Sequence, residues 1–393
     1  MYSRSLGMKS NYKQLGRYIR PVDVRNRGLV TTKLLGISVE KCFIPSIANI
    51  IGTDLEKYKI VRKGQFAYIP DTSRRGDKIA VALLREEECI ISSAYTAFEI
   101  IDTNELDPEY LMLWFSRPEF DRYARFHSHG SVREIFGWDE MCRVELPVPD
   151  IGAQKALVIN SRNIDNRIGI LDQFDSLLKE AGTTAVASLT AGKSVLIDSS
   201  SDNLPEGAIT IKDFCSRMSS GATPLRSNEE FWDGGNIPWL KSGEVDNGIC
   251  DKASEFITPE ALKKSSVHLL PEDSVLLAMY GGGTVGEVGY LATQATTNQA
   301  VCAMCCRNTE DAAYLFFALL QSQDAIKRQA HGGAQENLSK DFIERMVLIL
   351  PKHKSASHLG LGRLIRQMKL NSQERRLLVA IKENLISQIH INY

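Results

Sequence analysis

Histidine and arginine side chains gather around one loop of the sequence. His127 and His129 are separated by one residue, Arg125 and Arg133 flank them, and Arg122 precedes them by about one helical turn. Two histidines at this spacing form only a weak metal pattern, because structural zinc normally needs four ligands. Arginines beside a loop instead favour contact with phosphate, with an ordinary solvated loop as the alternative.

Basic residues recur at the matching place about 204 positions later, where Lys327 and Arg328 precede His331. An ordinary solvated loop is not expected to carry basic residues at the same place in both copies. The recurrence therefore favours phosphate contact over the ordinary loop.

Two other patterns suggest chemistry but lack the surroundings that it needs. The run from Ala187 to Ser194 matches a relaxed P-loop, yet no strand precedes it and the serines after Asp198 disfavour a helix. Cys302, Cys305 and Cys306 have no second Cys/His pair at a suitable spacing, so we interpret them as buried small residues of a strand. We predict no metal site, and we keep a P-loop NTPase as an alternative.

Catalytic signatures for nucleic-acid chemistry are missing from the sequence. It contains no Asp/Glu-x-Lys triplet of a nuclease centre and no Asn/Asp-Pro-Pro-Tyr/Phe loop to hold a flipped base. A triad assembled in space stays possible, although no spacing indicates one. The chain is therefore predicted to have no catalytic site of its own.

An internal repeat organises these residues. Tyr110 and Tyr314 lie 204 positions apart, as do Pro147 and Pro351, and in each copy an amphipathic helix leads to a His-Gly loop and a Leu-Pro pair. A period this long indicates two copies of a whole domain, not a solenoid unit. Short strand-like runs followed by helices predict an α+β fold for each copy, with helices at about 109–125 and 311–329.

A long helical stretch follows each copy. The first runs from Ala153 to Glu180, with Ser161 and Asp175 interrupting its heptad pattern, and the second extends towards the C-terminus. We predict that the two helices pair as an antiparallel coiled coil with pseudo-two-fold symmetry, the alternative being that each packs on its own domain. The apolar stripes comprise Leu157, Ile164, Ile168, Leu171 and Leu178 in the first helix, and Leu364, Met368, Leu378, Ile381 and Leu385 in the second. The predicted segments are a domain at 1–150, a helix at 151–182, a linker at 183–207, a domain at 208–352 and a helix at 353–393.

Composition sets the broad class. The chain has 393 residues, 43% of them hydrophobic, and a net charge of −1, so it has no global attraction for nucleic acid. No apolar run approaches the length that spans a membrane. Scattered cysteines and the lack of a signal-peptide core predict a cytoplasmic protein.

Several short motifs carry a family resemblance. In the second copy they are Ser220-Gly221-Ala222-Thr223-Pro224, the run Ile237-Pro238-Trp239-Leu240 through Glu244, Gly282 to Gly286, and Thr297-Asn298-Gln299. In the first copy they are Tyr18-Ile19-Arg20 through Asn26, Leu35-Gly36-Ile37-Ser38, and Arg74 to Ile79. In this order the motifs resemble the target recognition domains of the specificity subunit of Type I restriction–modification enzymes. The N-terminal halves of the two copies differ, which suits domains that recognise different sequences.

This resemblance implies a DNA-recognition subunit without catalysis. It would bind double-stranded DNA, two methyltransferase subunits and, through that core, restriction subunits. S-adenosylmethionine, Mg²⁺ and ATP would then be cofactors of those partners and not of this chain. The two apolar helices would dock the methyltransferase subunits.

Candidate DNA contacts follow from this resemblance. Arginine suits guanine, asparagine and glutamine suit adenine, and basic residues also contact phosphate. Asn298 has an alternative role, which is to hold its own loop. The candidates are Arg74, Arg75, Lys78, Arg125 and Arg133 in the first copy, and Lys241, Tyr280, Asn298, Gln299 and Gln335 in the second.

The helices would also fix the distance between the two half-sites. A helix of about 28 residues is about 42 Å long, slightly more than one turn of DNA. Two rival functions remain beside the NTPase: a DNA-binding adaptor of another defence or repair complex, and a coiled-coil scaffold that binds no DNA.

Overall fold

The computed structural model describes residues 12–46, 52–73, 78–130, 133–197, 207–281, 283–330, 337–351 and 360–389. Residue contacts divide the chain into two compact units. Unit 1 comprises residues 1–167 and 378–393, and unit 2 comprises residues 168–377.

Unit 1 is built mainly from short strands and three short helices. The strands are β1 (Tyr12–Gln14), β2 (Ile19–Val22), β3 (Val24–Arg25), β4 (Leu35–Ile37), β5 (Phe43–Pro45), β6 (Lys59–Arg62), β7 (Phe66–Tyr68), β8 (Val81–Leu83), β9 (Glu88–Ile91), β10 (Thr96–Ile100) and β11 (Glu145–Pro147). The helices are α1 (Pro108–Phe115), α2 (Pro118–Phe126) and α3 (Trp138–Arg143). The central sheet has the strand order β2-β10-β7-β8, and the core contains the stacked rings of Phe66 and Phe98, 4.9 Å apart, with Phe115 edge-on.

The single helix predicted at 109–125 is two helices. Asp107 caps α1 by accepting hydrogen bonds from the backbone N–H groups of Glu109 and Tyr110 at 2.8 and 3.1 Å. The helix ends at Phe115 because Arg117, which precedes Pro118, adopts an extended conformation. The matching prediction at 311–329 is also wrong as one helix, since a break lies at Ser322.

Two long helices, α4 (Ile151–Leu189) and α10 (Leu361–Gln388), each contribute residues to both units. Between them, unit 2 contains further strands and helices. The strands are β12 (Val195–Leu196), β13 (Ala208–Thr210), β14 (Arg217–Ser220), β15 (Ile237–Leu240), β16 (Ile249–Cys250), β17 (Glu255–Ile257), β18 (Ser274–Ala278), β19 (Val288–Leu291), β20 (Thr296–Thr297), β21 (Val301–Cys305) and β22 (Val347–Ile349). The helices are α5 (Ile211–Phe214), α6 (Pro259–Lys264), α7 (Thr309–Gln321), α8 (Gln323–Ala330) and α9 (Lys340–Arg345).

The two units share one sheet topology. The order β14-β21-β18-β19 in unit 2 matches β2-β10-β7-β8 in unit 1, and β16 adds one more strand at its end. In each unit the strand before the long helix returns to an early strand, β11 to β1 and β22 to β13. The predicted α+β fold with two similar β-rich domains is therefore confirmed.

The long helices pack against each other in antiparallel orientation. In unit 2, Arg375 bonds Asp172 at 2.8 Å and Asp175 at 2.7 Å, while Asn371 donates to Asp175 at 2.6 Å. In unit 1, Lys382 bonds Asp165 at 2.5 Å. Asp175, which interrupts the apolar heptad, thus forms a polar contact between the helices.

Helix α4 is longer than predicted and ends at Leu189, not at 182. Only glycine fits at position 182 of the helix, because a Cβ there would lie 2.3 Å from the ring of Phe317. Val186 is fully buried in the unit 2 core, and this packing outweighs the low helix propensity of the nearby threonines. The linker predicted at 183–207 is therefore ordered through Ile197, with β12 paired to β22, and 198–206 lies outside the described residues. The predicted start of the last helix at 353 also lies outside them, and α10 begins at Leu361.

Candidate nucleic-acid interface

Four loops of unit 2 meet at the end of its five-stranded sheet where β14 and β18 finish and β21 begins. Backbone hydrogen bonds join Ala222 to Thr297 at 2.9 Å, Asn298 to Leu240 at 2.9 Å, and Met279 to Ala300 at 2.7 Å. Gly221 is required for the approach, since a Cβ there would lie 2.1 Å from the carbonyl oxygen of Thr297. The described parts of the motifs of the second copy thus lie together, and we call this region, around Ala222, Leu240, Tyr280 and Asn298, the unit 2 loop edge.

Four of the five contact residues predicted in the second copy lie at the unit 2 loop edge: Lys241, Tyr280, Asn298 and Gln299. Tyr280 is half-buried, and burial raises the pKa of its phenol. Gln299 is exposed, and its side-chain oxygen accepts a hydrogen bond of 2.5 Å from the Thr223 hydroxyl. Lys241 bonds Glu255 at 3.0 Å. Gln335 lies outside the described residues.

Asn298 stabilises its own loop. Its side-chain oxygen accepts a hydrogen bond of 3.1 Å from the backbone N–H of Ala300. The loop-stabilising alternative from the sequence is therefore confirmed for this oxygen.

An arginine stacked on tryptophan also lies near the unit 2 loop edge and was missed from the sequence. The guanidinium of Arg226 lies 3.9 Å from the ring centre of Trp232 and 4.7 Å from that of Trp239. Arg226 also bonds Glu255, and this hydrogen bond, helped by one from Lys241, lowers the pKa of the Glu255 carboxyl. Sequence spacing gives little signal for this stack, because Arg226 and Trp239 are 13 positions apart.

In unit 1, Lys78 and Arg125 line one cleft of about 750 Å³. Lys78 pairs with Glu40 at 3.0 Å, and Arg125 pairs with Glu134. Arg133 is exposed in the following loop, which is held by two backbone hydrogen bonds between His129 and Ile135. Arg74 and Arg75 lie outside the described residues.

The floor of the unit 1 cleft is a buried ion pair that the sequence did not reveal. Lys41 Nζ lies 2.5 Å from Asp121 Oδ1, which also accepts a hydrogen bond of 3.1 Å from the backbone N–H of Ile79. Burial lowers the pKa of Lys41, and Asp121 opposes that shift. The pair joins a turn to α2 across 80 sequence positions, which no local pattern predicts.

Most of the predicted apolar stripe faces inward. Leu171, Leu178 and Met368 are less than a tenth exposed within this chain, so they cannot meet a partner directly. Six others are partly buried: Leu157, Ile164, Ile168, Leu364, Leu378 and Leu385. Ile381 is 55% exposed and is the only predicted stripe residue of this kind.

A second apolar stripe, which heptad spacing does not reveal, faces outward in unit 2. Its members are 42–65% exposed, and each comes one position before a residue that faces the other helix. Because the helices are antiparallel, this offset places the members of both helices on the same side of the pair. We call them the outer stripe: Ile170, Phe174, Leu177, Leu370 and Leu377.

The P-loop alternative is wrong. Helix α4 ends at Leu189 and strand β12 follows Ser194, so the order is helix then strand, the reverse of a P-loop. Ser194 is buried, and its hydroxyl bonds the carbonyl oxygen of Ala318 at 3.0 Å. Lys193 is exposed.

The cysteine and histidine patterns show no metal geometry. Cys302 and Cys305 are buried in β21, which confirms their interpretation as core residues, and burial raises the pKa of Cys302 to about 12. For Cys306 that interpretation is wrong, because it follows the last residue of β21 and is only partly buried. His127 lies 3.5 Å from Glu140. Among the residues that the structure describes, no group of three or more His, Cys, Asp or Glu side chains could hold a metal ion. None of the described helices has the length and apolarity to cross a membrane.

Comparison with known proteins shows similarity over parts of the chain. Residues 207–374 match the family model of the Type I restriction modification DNA specificity domain. The Type I restriction enzyme EcoR124I/EcoR124II specificity subunit of Escherichia coli is 27% identical over 190 residues, covering 48% of this chain. Residues 207–374 therefore resemble a DNA specificity domain, and the chain is similar to specificity subunits of Type I restriction–modification enzymes.

Other relatives of the family extend the similarity. The Type I restriction enzyme EcoprrI specificity subunit of Escherichia coli is 27% identical over 140 residues, covering 34% of each chain. The matched segments span 44% and 34% of these two relatives, so less than half of either. The crystal structure of the Type I S subunit from M. genitalium covers 98% of both chains with a TM-score of 0.52 and 15% identity, which shows a shared fold.

Proposed function

We propose that this chain is the DNA sequence-recognition subunit of a Type I restriction–modification complex, in which each unit recognises one half of a split target. The observation that carries this proposal is the shared sheet order of the two units, each followed by one of the long helices. Two copies of one binding fold suit two half-sites on one duplex. Their different N-terminal halves suit two different half-sequences.

In unit 2, recognition is assigned to the loop edge. Exposed Gln299 and half-buried Tyr280 can reach base edges, whereas Lys241 suits phosphate. Asn298 positions the loop through its oxygen and is a weaker candidate for a base contact. Gln335, which follows the predicted His-Gly loop, stays a proposed contact.

In unit 1, Lys78, Arg125 and Arg133 are the described basic candidates, and Arg74 and Arg75 stay proposed from the sequence. The ion pairs of Lys78 and Arg125 are exposed, and exposed pairs contribute little free energy. Phosphate can therefore compete with Glu40 and Glu134 at small cost.

Helices α4 and α10 are proposed to dock two methyltransferase subunits. The outer stripe supports this, because contiguous exposed apolar side chains on a helix pair mark an interaction surface. Ile381 is the member of the sequence-predicted stripe that could join it. The buried members act indirectly by holding the pair together.

The same helices are proposed to set the spacer between the half-sites. With 39 and 28 residues, α4 and α10 have lengths of about 58 and 42 Å. Their interhelical ion pairs, from Asp165–Lys382 to Asp175–Arg375, favour a stiff rod.

Chemistry would reside in the partners. Adenine methylation and ATP-driven cleavage, with S-adenosylmethionine, Mg²⁺ and ATP, are assigned to methyltransferase and restriction subunits. All eight cysteines lie among the described residues and none is in a disulfide, which supports the proposed cytoplasmic location.

Methylation mapping tests this function. We expect cells that carry this gene and its methyltransferase partner to methylate one split motif, and we expect deletion of this gene to abolish it. Replacing residues 217–305 with the matching segment of a relative should change one half of the motif and leave the other. If the replacement changed both halves or neither, the assignment of one half-site to each unit would be wrong.

A further inference from the structure

An aromatic side chain stands exposed at the mouth of the unit 1 cleft. Phe126 ends α2 and is 80% exposed, the most exposed of the large hydrophobic residues that the structure describes. Its ring meets that of His127 edge-on, 5.1 Å between ring centres, yet most of it stays in water, so burial against a partner surface would release free energy.

Cations surround Phe126. Arg122 and Arg125 lie on the same helix, one turn and one residue before it, and Lys78 faces them across the cleft. The buried Lys41–Asp121 pair fixes α2 against the opposite wall, which holds Phe126 at a defined place. An aromatic ring beside two arginines matches the chemistry of nucleic acid, which presents flat bases next to phosphates.

Nearby carboxylates leave both arginines able to bind phosphate. Arg122 bonds Glu119 through Nη2 at 3.1 Å, and Arg125 bonds Glu134 through Nη1. Each guanidinium has five N–H donors, so one carboxylate contact leaves donors for a phosphate. All of these side chains are at least 39% exposed, and such surface pairs exchange partners easily.

We propose that Phe126 is an aromatic wedge that stacks against a base of the target DNA, while Arg122 and Arg125 contact the phosphates on either side. The inference rests on the proposed function and adds a stacking residue to unit 1. Insertion of an apolar side chain beside a base step partly unstacks that step and bends the duplex. The affinity would therefore depend on how easily that base step of the DNA deforms, in addition to the direct contacts.

The test uses the full chain co-purified with its methyltransferase subunits and a duplex of the mapped target. Phe126→Ser should weaken binding about 10-fold or more, as removal of one base-stacking ring does, while Phe126→Trp should bind like the wild type. Ile101→Ser is the matched control, because Ile101 is another exposed apolar residue of unit 1, and it should bind normally.

Salt dependence separates stacking from phosphate contact. Arg122→Gln and Arg125→Gln should each reduce the slope of log affinity against log salt by about 0.9, whereas Phe126→Ser should leave the slope unchanged. In duplexes carrying 2-aminopurine at successive positions other than the methylated adenines, which the methyltransferase subunits flip out themselves, the wild type should raise fluorescence at one step, and Phe126→Ser should not.

The outcomes distinguish the two proposals. Selective binding by the wild type that Phe126→Ser does not weaken, or no 2-aminopurine signal at any step outside the methylated adenines, would overturn the wedge and leave the proposed function standing. A wild-type complex without sequence-selective binding would overturn both.

Discussion

The hydroxyl of Tyr110 donates a hydrogen bond of 2.8 Å to the carbonyl oxygen of Pro147. Tyr314, 204 positions later, makes the same kind of bond to Ile349. Both tyrosines are fully buried, and both acceptors lie in the strand that precedes a long helix. Both copies of the repeat thus contain a tyrosine hydrogen bond to the strand that leads into the long helix.

These bonds should contribute equally in the two units. Tyr110→Phe leaves a buried carbonyl oxygen without this donor and should lower the free energy of unfolding of unit 1 by about 1–2 kcal/mol. Tyr314→Phe should do the same in unit 2. Urea unfolding followed by hydrogen exchange of each unit measures both, with Tyr58→Phe, at a partly exposed side chain, as the control. Equal losses for the control and the two variants would contradict the assignment.

The sequence predicted the repeat because side chains such as Tyr110 and Tyr314 occupy equivalent buried positions. It did not predict the breaks at Arg117 and Ser322, since helical periodicity continues across both. Helix α4 continues past Gly182, where it packs closely against Phe317, a residue far away in sequence. Local patterns carry no signal for such contacts.

The faces of the long helices were predicted in part. Heptad spacing identified the stripe containing Leu171 and Leu178 and predicted its burial between the paired helices, as observed. It could not show that Phe174 is exposed, because that depends on where α10 packs.

Inner and outer stripe residues should respond differently to substitution. Leu171→Ala removes a buried side chain and should cost about 2–5 kcal/mol of stability. Leu177→Ser, at a side chain that is 61% exposed, should change stability by less than about 0.5 kcal/mol yet weaken methyltransferase binding. Thermal unfolding and co-purification measure the two effects. Undiminished co-purification of a variant with both Phe174→Ser and Leu177→Ser would exclude the outer stripe as the docking surface.

Acid should weaken the attachment of α10 to unit 2. Burial alone would raise the pKa of Asp273, but hydrogen bonds from Lys369 at 2.5 Å and Thr309 at 2.6 Å outweigh it and hold this pKa below its ordinary 3.8. The stability from this group is therefore complete above the unfolded pKa and is lost as pH falls through the lower folded pKa.

Asp273→Asn should remove that part of the acid dependence. Urea unfolding of unit 2 between about pH 5 and pH 3 should show a shallower loss of stability in the variant than in the wild type. The exposed Asp324 provides the control, Asp324→Asn. Identical pH profiles for wild type and Asp273→Asn would show that the contact adds no stability.

Nucleotide should not bind at the P-loop-like run. Lys193 is exposed between the C-terminal end of α4 and strand β12, whereas phosphate in a P-loop is held at the N-terminus of a following helix. Lys193→Ala should leave ATP hydrolysis by the assembled complex unchanged. A loss of hydrolysis with normal assembly would restore the nucleotide-binding alternative.

The spacer of the methylated motif tests the central claim most directly. Seven residues of helical sequence inserted into both long helices, after Arg167 in α4 and after Leu377 in α10, would lengthen each by about 10 Å while keeping the heptad phase. We predict the same two half-sequences in the methylation map, with a spacer about three base pairs longer. An active variant that methylates the original motif with its original spacer would contradict the account.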